Sequence, residues 1–441
     1  MSAPGRRRKL NFVNEASSSM SDKSGPTLSV SYEKSSCSIP ASKGTGQKQH
    51  RFEILDDCRG FAIMLVFFRH CEFFLPDRLT QILYDPWTFL SSVAAGKADL
   101  HDLFLFVAFF PFHIGWTALP IFFVVSGFCI HLTYSQPRQA DLKAFYIRRF
   151  FRIYPPYLLA LLVFTFIYPL TRIPFTKLTY WGQFVTHLFL VHNVSELSIV
   201  AINAPFWTIA IEVQLYLIFP LILIFARRYS YARALLVLAL IEFSLQAFAV
   251  IVFEHPPVFA PAWLRGSPFF FCFSWGLGAA IADAYLSDKP LGLMRIHPVV
   301  WLVPGILTST FPAYEFSFGF FALFTASIIW RHLNKGQVEE KPSYLGRVIR
   351  ITGIYSYSIY LIHDPILRAV ILFYKARFPG IENHPFQIFT AGATSWLLIF
   401  PLSALMYYWV EKPAIALGKR VLRAWPRPAS RQIESNIVST A

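Results

Sequence analysis

Ten apolar stretches, each about the length a helix needs to cross the hydrocarbon core of a bilayer, punctuate this 441-residue chain at 56–76, 115–134, 153–171, 206–226, 233–253, 268–286, 297–312, 315–332, 351–374 and 386–409. Backbone in lipid must satisfy its own polar groups, so such stretches close into helices. The sequence therefore predicts an all-α fold, a polytopic transmembrane helical bundle of about ten spans. Composition agrees, since 55% apolar and 15% charged residues leave too little polar surface to cover a soluble fold of this length. Two further runs, 100–112 and 181–193, are too short or too interrupted to span, and are expected as re-entrant or interfacial helices on the outer side. Prolines inside the segments, such as Pro111, Pro120, Pro155, Pro156 and Pro365, are compatible with a bundle in which neighbours re-satisfy the freed carbonyls.

A net charge of +15 raises the question of nucleic acid, and the distribution of the charge answers it. With the N-terminus placed inside, thirty of the forty Lys and Arg fall in cytoplasmic parts, seven in outer loops and three within spans. That is the asymmetry by which membrane proteins are oriented, so no nucleic-acid partner is needed, and both termini are expected in the cytoplasm. Residues 1–50, rich in Ser, Lys, Arg, Gly and Pro, cannot bury enough apolar surface to offset their ordering entropy and read as a disordered basic tail. The basic run Arg6–Lys9 reads as an orientation or lipid-contact signal. Residues 51–420 form the membrane domain and 421–441 a short cytoplasmic tail. No cleavable signal peptide is expected, because the first hydrophobic region comes late and runs long. The five cysteines (Cys37, Cys58, Cys71, Cys129, Cys272) show neither a disulfide framework nor metal-ligand spacing, and no metal site is expected.

Charges inside spans demand a reason, because burying them in lipid is costly and the usual compensation is a cavity that they line. Leu55 to His70 reads LDDCRGFAIMLVFFRH. Arg59 and His70 stand eleven residues apart, about 16 Å along one helix and on nearly the same face; Asp56, one turn below, can pair with Arg59, and Arg69 adds a further buried charge. In the second segment, Ser126 and Gly127 form either a helix-packing notch or room for a ligand arm. At the mouth of the third, Arg148, Arg149 and Arg152 are either interfacial anchors or a phosphate clamp of bidentate donors. Glu212 is buried in the fourth segment with Tyr216 one turn on, either ligated by an arginine such as Arg59 or facing a cavity. His363 sits beside Asp364 and Pro365, and serves either the kink or a substrate.

Six motifs, RFEILDDCRGFAIMLVFFRH, FFVVSGFCI, YIRRFFRIYPPY, FWTIAIEVQLYL, SYSIYLIHDP and WVEKP, run in order across about 51–420. Together they resemble the membrane-bound acyltransferase-3 family, which includes glycan O-acetyltransferases. The resemblance implies a ten-helix core that moves an acyl group, acetyl first among them, from cytoplasmic acyl-CoA to a hydroxyl of a carbohydrate or related acceptor. It places the family's essential Arg-x10-His on Arg59 and His70, its Arg-x-x-Arg on Arg149 and Arg152, its Ser-Gly-Phe on Ser126 to Phe128 and its span glutamate on Glu212. Asp57-Cys58 departs from the family pattern, where small or apolar residues are commoner. The resemblance shows no SGNH-type domain of the kind some members append, so the chain is expected either to acylate its final acceptor or to hand over to a separate acceptor-side protein.

These readings assign His70 as general base, with an acyl-histidine as the variant. Arg59 orients the donor or stabilises transition-state charge, and Arg148, Arg149 and Arg152 hold the CoA phosphates. Ser126 and Gly127 flank the pantetheine arm, Tyr216 and His363 contribute to substrate binding, and Glu212 orients a basic partner. Acyl-CoA is a co-substrate, with no permanently bound cofactor. Arg59 and His70 are expected to open onto one chamber reached through the arginine entrance. A membrane transporter using the same buried Arg, His and Glu as a substrate or proton path is the alternative; no internal repeat of the kind many transporters carry is visible.

Overall fold

The protein was described from a computed structural model, which describes residues 38–39, 50–135, 141–167, 177–253, 260–309, 314–334 and 342–425. The N-terminal unit, Met1–Lys34, and the tail expected at 421–441, from 426 on, lie outside the described residues. The rest of the described residues are helices and the loops between them, apart from a two-residue antiparallel pairing of Ser38–Ile39 with His50–Arg51.

Helix α1 (Glu53–Glu72) is followed by the short α2 (Asp77–Tyr84) and α3 (Pro86–Ala94), then α4 (Leu100–His113) and α5 (Ala118–Tyr134). Next come α6 (Leu142–Phe166), α7 (Leu178–Leu188), α8 (Phe206–Arg228), α9 (Tyr231–Phe253), the single turn α10 (Ala262–Arg265) and α11 (Cys272–Ser287). After the turn α12 (Gly292–Arg295) follow α13 (Pro298–Ser309), α14 (Phe316–Asn334), α15 (Tyr344–Ile354) and α16 (Ser356–Arg377). Helices α17 (Pro385–Thr394), α18 (Trp396–Met406) and α19 (Lys412–Ala424) close the chain.

Every expected span overlaps a helix, but the count of ten is not established. Six stretches are long and apolar enough to cross a membrane: Leu100–Tyr134, Phe206–Arg228, Tyr231–Phe253, Pro268–Ser287, Phe316–Asn334 and Pro385–Ala424. Helices α1, α6 and α16 have the length, at 20, 25 and 22 residues, but their polar side chains hold them below an ordinary span's apolar character. Helix α13 has only 12 residues. The run 100–112, expected as a separate re-entrant or interfacial piece, is instead continuous with α5 through a tight turn at Ile114–Thr117. Pro111 sits inside α4 without ending it.

Close helix approach is set by glycine. A Cβ on Gly127 would sit 2.0 Å from the Trp275 carbonyl oxygen, and one on Gly278 1.9 Å from that of Val124, so α5 and α11 cross backbone to backbone. Helices α1 and α15 meet the same way, Gly60 against Ile349 O at 1.9 Å and Gly353 against Asp56 O at 1.8 Å. Without a hydrophobic driving force in lipid, such small-residue crossings supply the packing that holds helices together. Gly353→Leu is therefore expected to part α1 from α15 and lower the midpoint of thermal aggregation by several degrees, the ordinary consequence of overpacking by about 1–3 kcal/mol. A fluorescence-detected melting curve in detergent measures it.

Two carboxylates buried in apolar helices serve the fold. Glu242 of α9 accepts hydrogen bonds from Phe273 N (2.7 Å), Ser274 N (3.3 Å) and Ser274 Oγ (3.2 Å), capping the N-terminus of α11 from a neighbouring helix where orphan N–H groups would otherwise face lipid. Between α18 and α19 the backbone widens into one π turn, Tyr407–Glu411, which brings Glu411 onto the Ser358 hydroxyl at 3.1 Å.

Candidate active site

One cavity of about 110 Å3 opens between α1, α5, α6, α8 and α16. Each helix offers it a single stripe at helical spacing: Leu119, Phe122, Ser126 and Cys129 from α5, Thr208, Glu212 and Tyr216 from α8, Arg149, Arg152 and Ile153 from α6. Residues three and four apart share a helix face, which is why polar groups scattered through apolar sequence converge here. Arg59 from α1 and Ser356, Tyr357 and Tyr360 from α16 complete the wall.

Arg59, Arg149 and Arg152 bring three cations to the cavity wall, with Glu212 among polar hydroxyls beside them. Arg59 is held by Asp56 at 3.2 Å and donates to Cys129 Sγ at 3.1 Å, the Asp56 pairing being the one its i,i+3 spacing allows. Arg149 lies over the Phe145 and Tyr216 rings, both at 5.8 Å, and its buried Nε has no partner among the described residues. Glu212 accepts from Ser126 Oγ at 2.7 Å and from the Tyr216 hydroxyl, while Trp275 Nε1 donates to Ser126 Oγ at 3.3 Å. The hydrogen-bond partners of Glu212 are thus hydroxyls. Arg148 is not among the lining residues. Gly127 is not either, and its bare face lies against α11, the packing half of the two readings its sequence allowed.

His70 and His363 do not line the cavity, so the single chamber expected for Arg59 and His70 is divided. Eleven helical residues carry His70 about 16 Å beyond Arg59, and Tyr360 is among the residues lining the cavity. His70 Nδ1 stands 3.2 Å from Asp364 Oδ1, without the alignment of a formed hydrogen bond; such contacts commonly tighten only when a reactant binds. Arg368 Nη2 reaches the same carboxylate oxygen at 3.5 Å. The His70 and His363 rings stack with centroids 4.9 Å apart. His363 Nδ1 donates to the Tyr360 and Ile359 carbonyls at 3.0 and 3.2 Å, and its buried Nε2 has no partner among the described residues.

Sequence reasoning missed several of these groups. Asp364 was noticed only as the neighbour of His363. Thr208 and Tyr360 are neutral and announce no burial cost. Arg69 was counted as an unexplained charge, whereas it pairs with Glu72 at 2.9 Å and donates to the Tyr84 hydroxyl at 2.8 Å, with His113 Nδ1 on Glu72 at 2.7 Å. The acid three residues on was the available signal. Asp57, the departure from the family pattern, takes the Arg350 guanidinium in a two-pronged grip of 2.9 and 3.0 Å. Among the described residues no three His, Cys, Asp or Glu side chains gather as metal ligands do.

Apolar helices that turn their cations inward around a cavity define a multi-pass integral membrane enzyme rather than a soluble protein resting on a bilayer. A model of the acyltransferase domain matches residues 52–410, and the chain belongs to that family, the acyltransferase-3 family; it is an acyltransferase. The chain is 25% identical to acyltransferase MdmB of Streptomyces mycarofaciens, over 72% of this chain and 86% of that protein. It is also 25% identical to the peptidoglycan O-acetyltransferase OatA of Listeria monocytogenes, over 68% of this chain and 51% of that one. An uncharacterised Haemophilus influenzae protein is 35% identical over 28% of the chain and 56% of its own length. The chain thus spans about half the length of the Haemophilus and Listeria relatives. No solved structure matches it.

Proposed function

We propose that the protein transfers an acetyl group from cytoplasmic acetyl-CoA to a hydroxyl of a glycan or related acceptor. The observation that carries this reading is the arginine-lined cavity containing Arg59, Arg149 and Arg152, bounded by Tyr360, with the His70–Asp364 contact behind it. A cavity of about 150 Å3 takes one benzene, so 110 Å3 suits the thioester end of the donor and not the whole molecule. The CoA phosphates then lie at the mouth, where Arg148 joins Arg149 and Arg152 as planar donors. Ser126, Glu212 and Tyr216 form a polar wall beside the thioester arm. His70 takes the acceptor proton as that oxygen attacks the thioester carbonyl carbon, with Asp364 orienting the imidazole. Arg59, held toward Asp56 at 3.2 Å, orients the donor in the cavity. The C–O bond forms, the C–S bond breaks, and the CoA thiolate leaves and is protonated.

The acceptor class is taken from the name of the Listeria relative, a peptidoglycan O-acetyltransferase. Both termini lie in the cytoplasm, on the side where the Lys and Arg excess falls, and a separate acceptor-side protein completes the transfer where this chain does not. Protein in lipid nanodiscs, given acetyl-CoA labelled in the acetyl group and a cell-wall glycan fraction, is expected to release CoA and label the glycan. Absence of both, or solute movement in sealed vesicles without CoA release, would refute the enzyme described.

A further inference from the structure

The wall between the cavity and His70 is narrow, and its chemistry is specific. Tyr360 lines the cavity, while its ring centroid lies 5.7 Å from that of His363, which in turn stacks on His70. The Tyr360 hydroxyl meets Thr208 Oγ1 at 2.5 Å. Thr208 spends its own proton on the Pro205 carbonyl at 3.1 Å, so Tyr360 is the donor of the pair. Phe122 packs edge-on against the Tyr360 ring at 5.8 Å. One tyrosine is thus pinned across the gap between α16 and α8 by one hydrogen bond, with the donor cavity on one side and the histidine pair on the other.

We propose that Tyr360 is the partition between donor and acceptor halves of the enzyme, and that release of its hydrogen bond to Thr208 is the step that lets a thioester in the cavity meet His70. This rests on the acyl-CoA reading above only for the identity of what crosses; the partition itself is a property of access. A closed tyrosine keeps water on the His70 side away from a loaded thioester, because a sealed site suppresses hydrolysis of its reactive contents. Tyr360 therefore acts through passage and not through proton transfer.

Cys129, a cysteine outside any disulfide whose side chain lines the cavity, reports access without reference to substrate. Sealed vesicles of both orientations, holding the full chain, are treated with the impermeant reagent sulfonatoethyl methanethiosulfonate, and Cys129 modification is quantified by peptide mass spectrometry. In the wild type, modification is expected only from the face bearing Arg149 and Arg152. Tyr360→Ala is expected to raise the rate from the His70 face at least tenfold, and the milder Tyr360→Phe and Thr208→Val to raise it severalfold. In parallel, Tyr360→Phe and Thr208→Val are expected to raise CoA release from acetyl-CoA without acceptor severalfold. If the variants that keep a wild-type elution profile and melting curve show no gain in Cys129 modification from the His70 face, the partition is overturned. If that gain appears but neither wild type nor variants ever release CoA, the partition stands and the acyl-CoA reading falls.

Discussion

Replacing His70 by alanine is expected to lower acetyl transfer about a thousandfold while leaving the melting curve near that of the wild type. The size follows from the role, since a positioned general base contributes about 10²–10⁴-fold. The fold should tolerate the change because His70 makes one charge contact, to Asp364, and is not counted on by any helix crossing. Asp364→Asn provides the graded control. It keeps the shape of the side chain but removes the charge that orients the imidazole, a change of about 1.5–3 kcal/mol for a bond to a charged group. That corresponds to a loss of about 10- to 100-fold in kcat/KM. CoA release and label transfer to glycan, measured side by side, check both. A His70→Ala enzyme working within a few-fold of the wild type would remove the imidazole from the mechanism.

The second large effect is expected at the arginines. Arg149→Ala and Arg152→Ala should each raise the apparent KM for acetyl-CoA about 10- to 100-fold with a smaller change in kcat, the pattern of a lost binding contact. Arg149→Lys separates the two meanings that the sequence left open. A lysine satisfies an interfacial anchor, whose charged head needs only to reach water. It does not replace a planar fork that grips an anion through two parallel bonds. KM rising almost as far in Arg149→Lys as in Arg149→Ala supports the clamp, and full rescue by lysine reduces the residue to an anchor. Arg149 Nε has no partner among the described residues, and a buried donor of that kind calls for an explanation, which a bound anion would supply.

How much of this was legible in the sequence depended on burial cost. Arg59, Glu212, Arg149 and Arg152 stood out because charge in an apolar helix must be explained, and spacing rules then put each on one face with its neighbours. The structure gathers those four, with Ser126 and Tyr216, around one space. Pairing across the bundle was not legible. Asp364 reaches His70 from another helix far along the chain, and nothing in either motif alone points to the other. Neutral residues were invisible for a related reason. Tyr360 and Thr208 look like ordinary span residues until their hydroxyls are seen to touch. The expectation of a common chamber failed on extent, because helix geometry gives the separation of Arg59 and His70 but says nothing about where open space stops. The count of ten spans rested on apolar length, and α13, expected to span 297–312, has 12 residues among the described ones.

The joint between α1 and α15 carries a mechanical consequence. At one end Gly60 and Gly353 lock the two backbones together, and Arg350 clasps Asp57 beside them. At the other end of α1, the His70 imidazole lies 3.2 Å from Asp364 on α16, which continues from α15 after a single residue. Fastened at the first end and in contact at the second, these helices form a strut, and a rocking-bundle cycle that pried them apart would separate His70 from Asp364 each time. On the acyl-transfer reading, such a frame favours a cycle in which the scaffold stays still and the reactants travel, in place of the alternating access of a carrier.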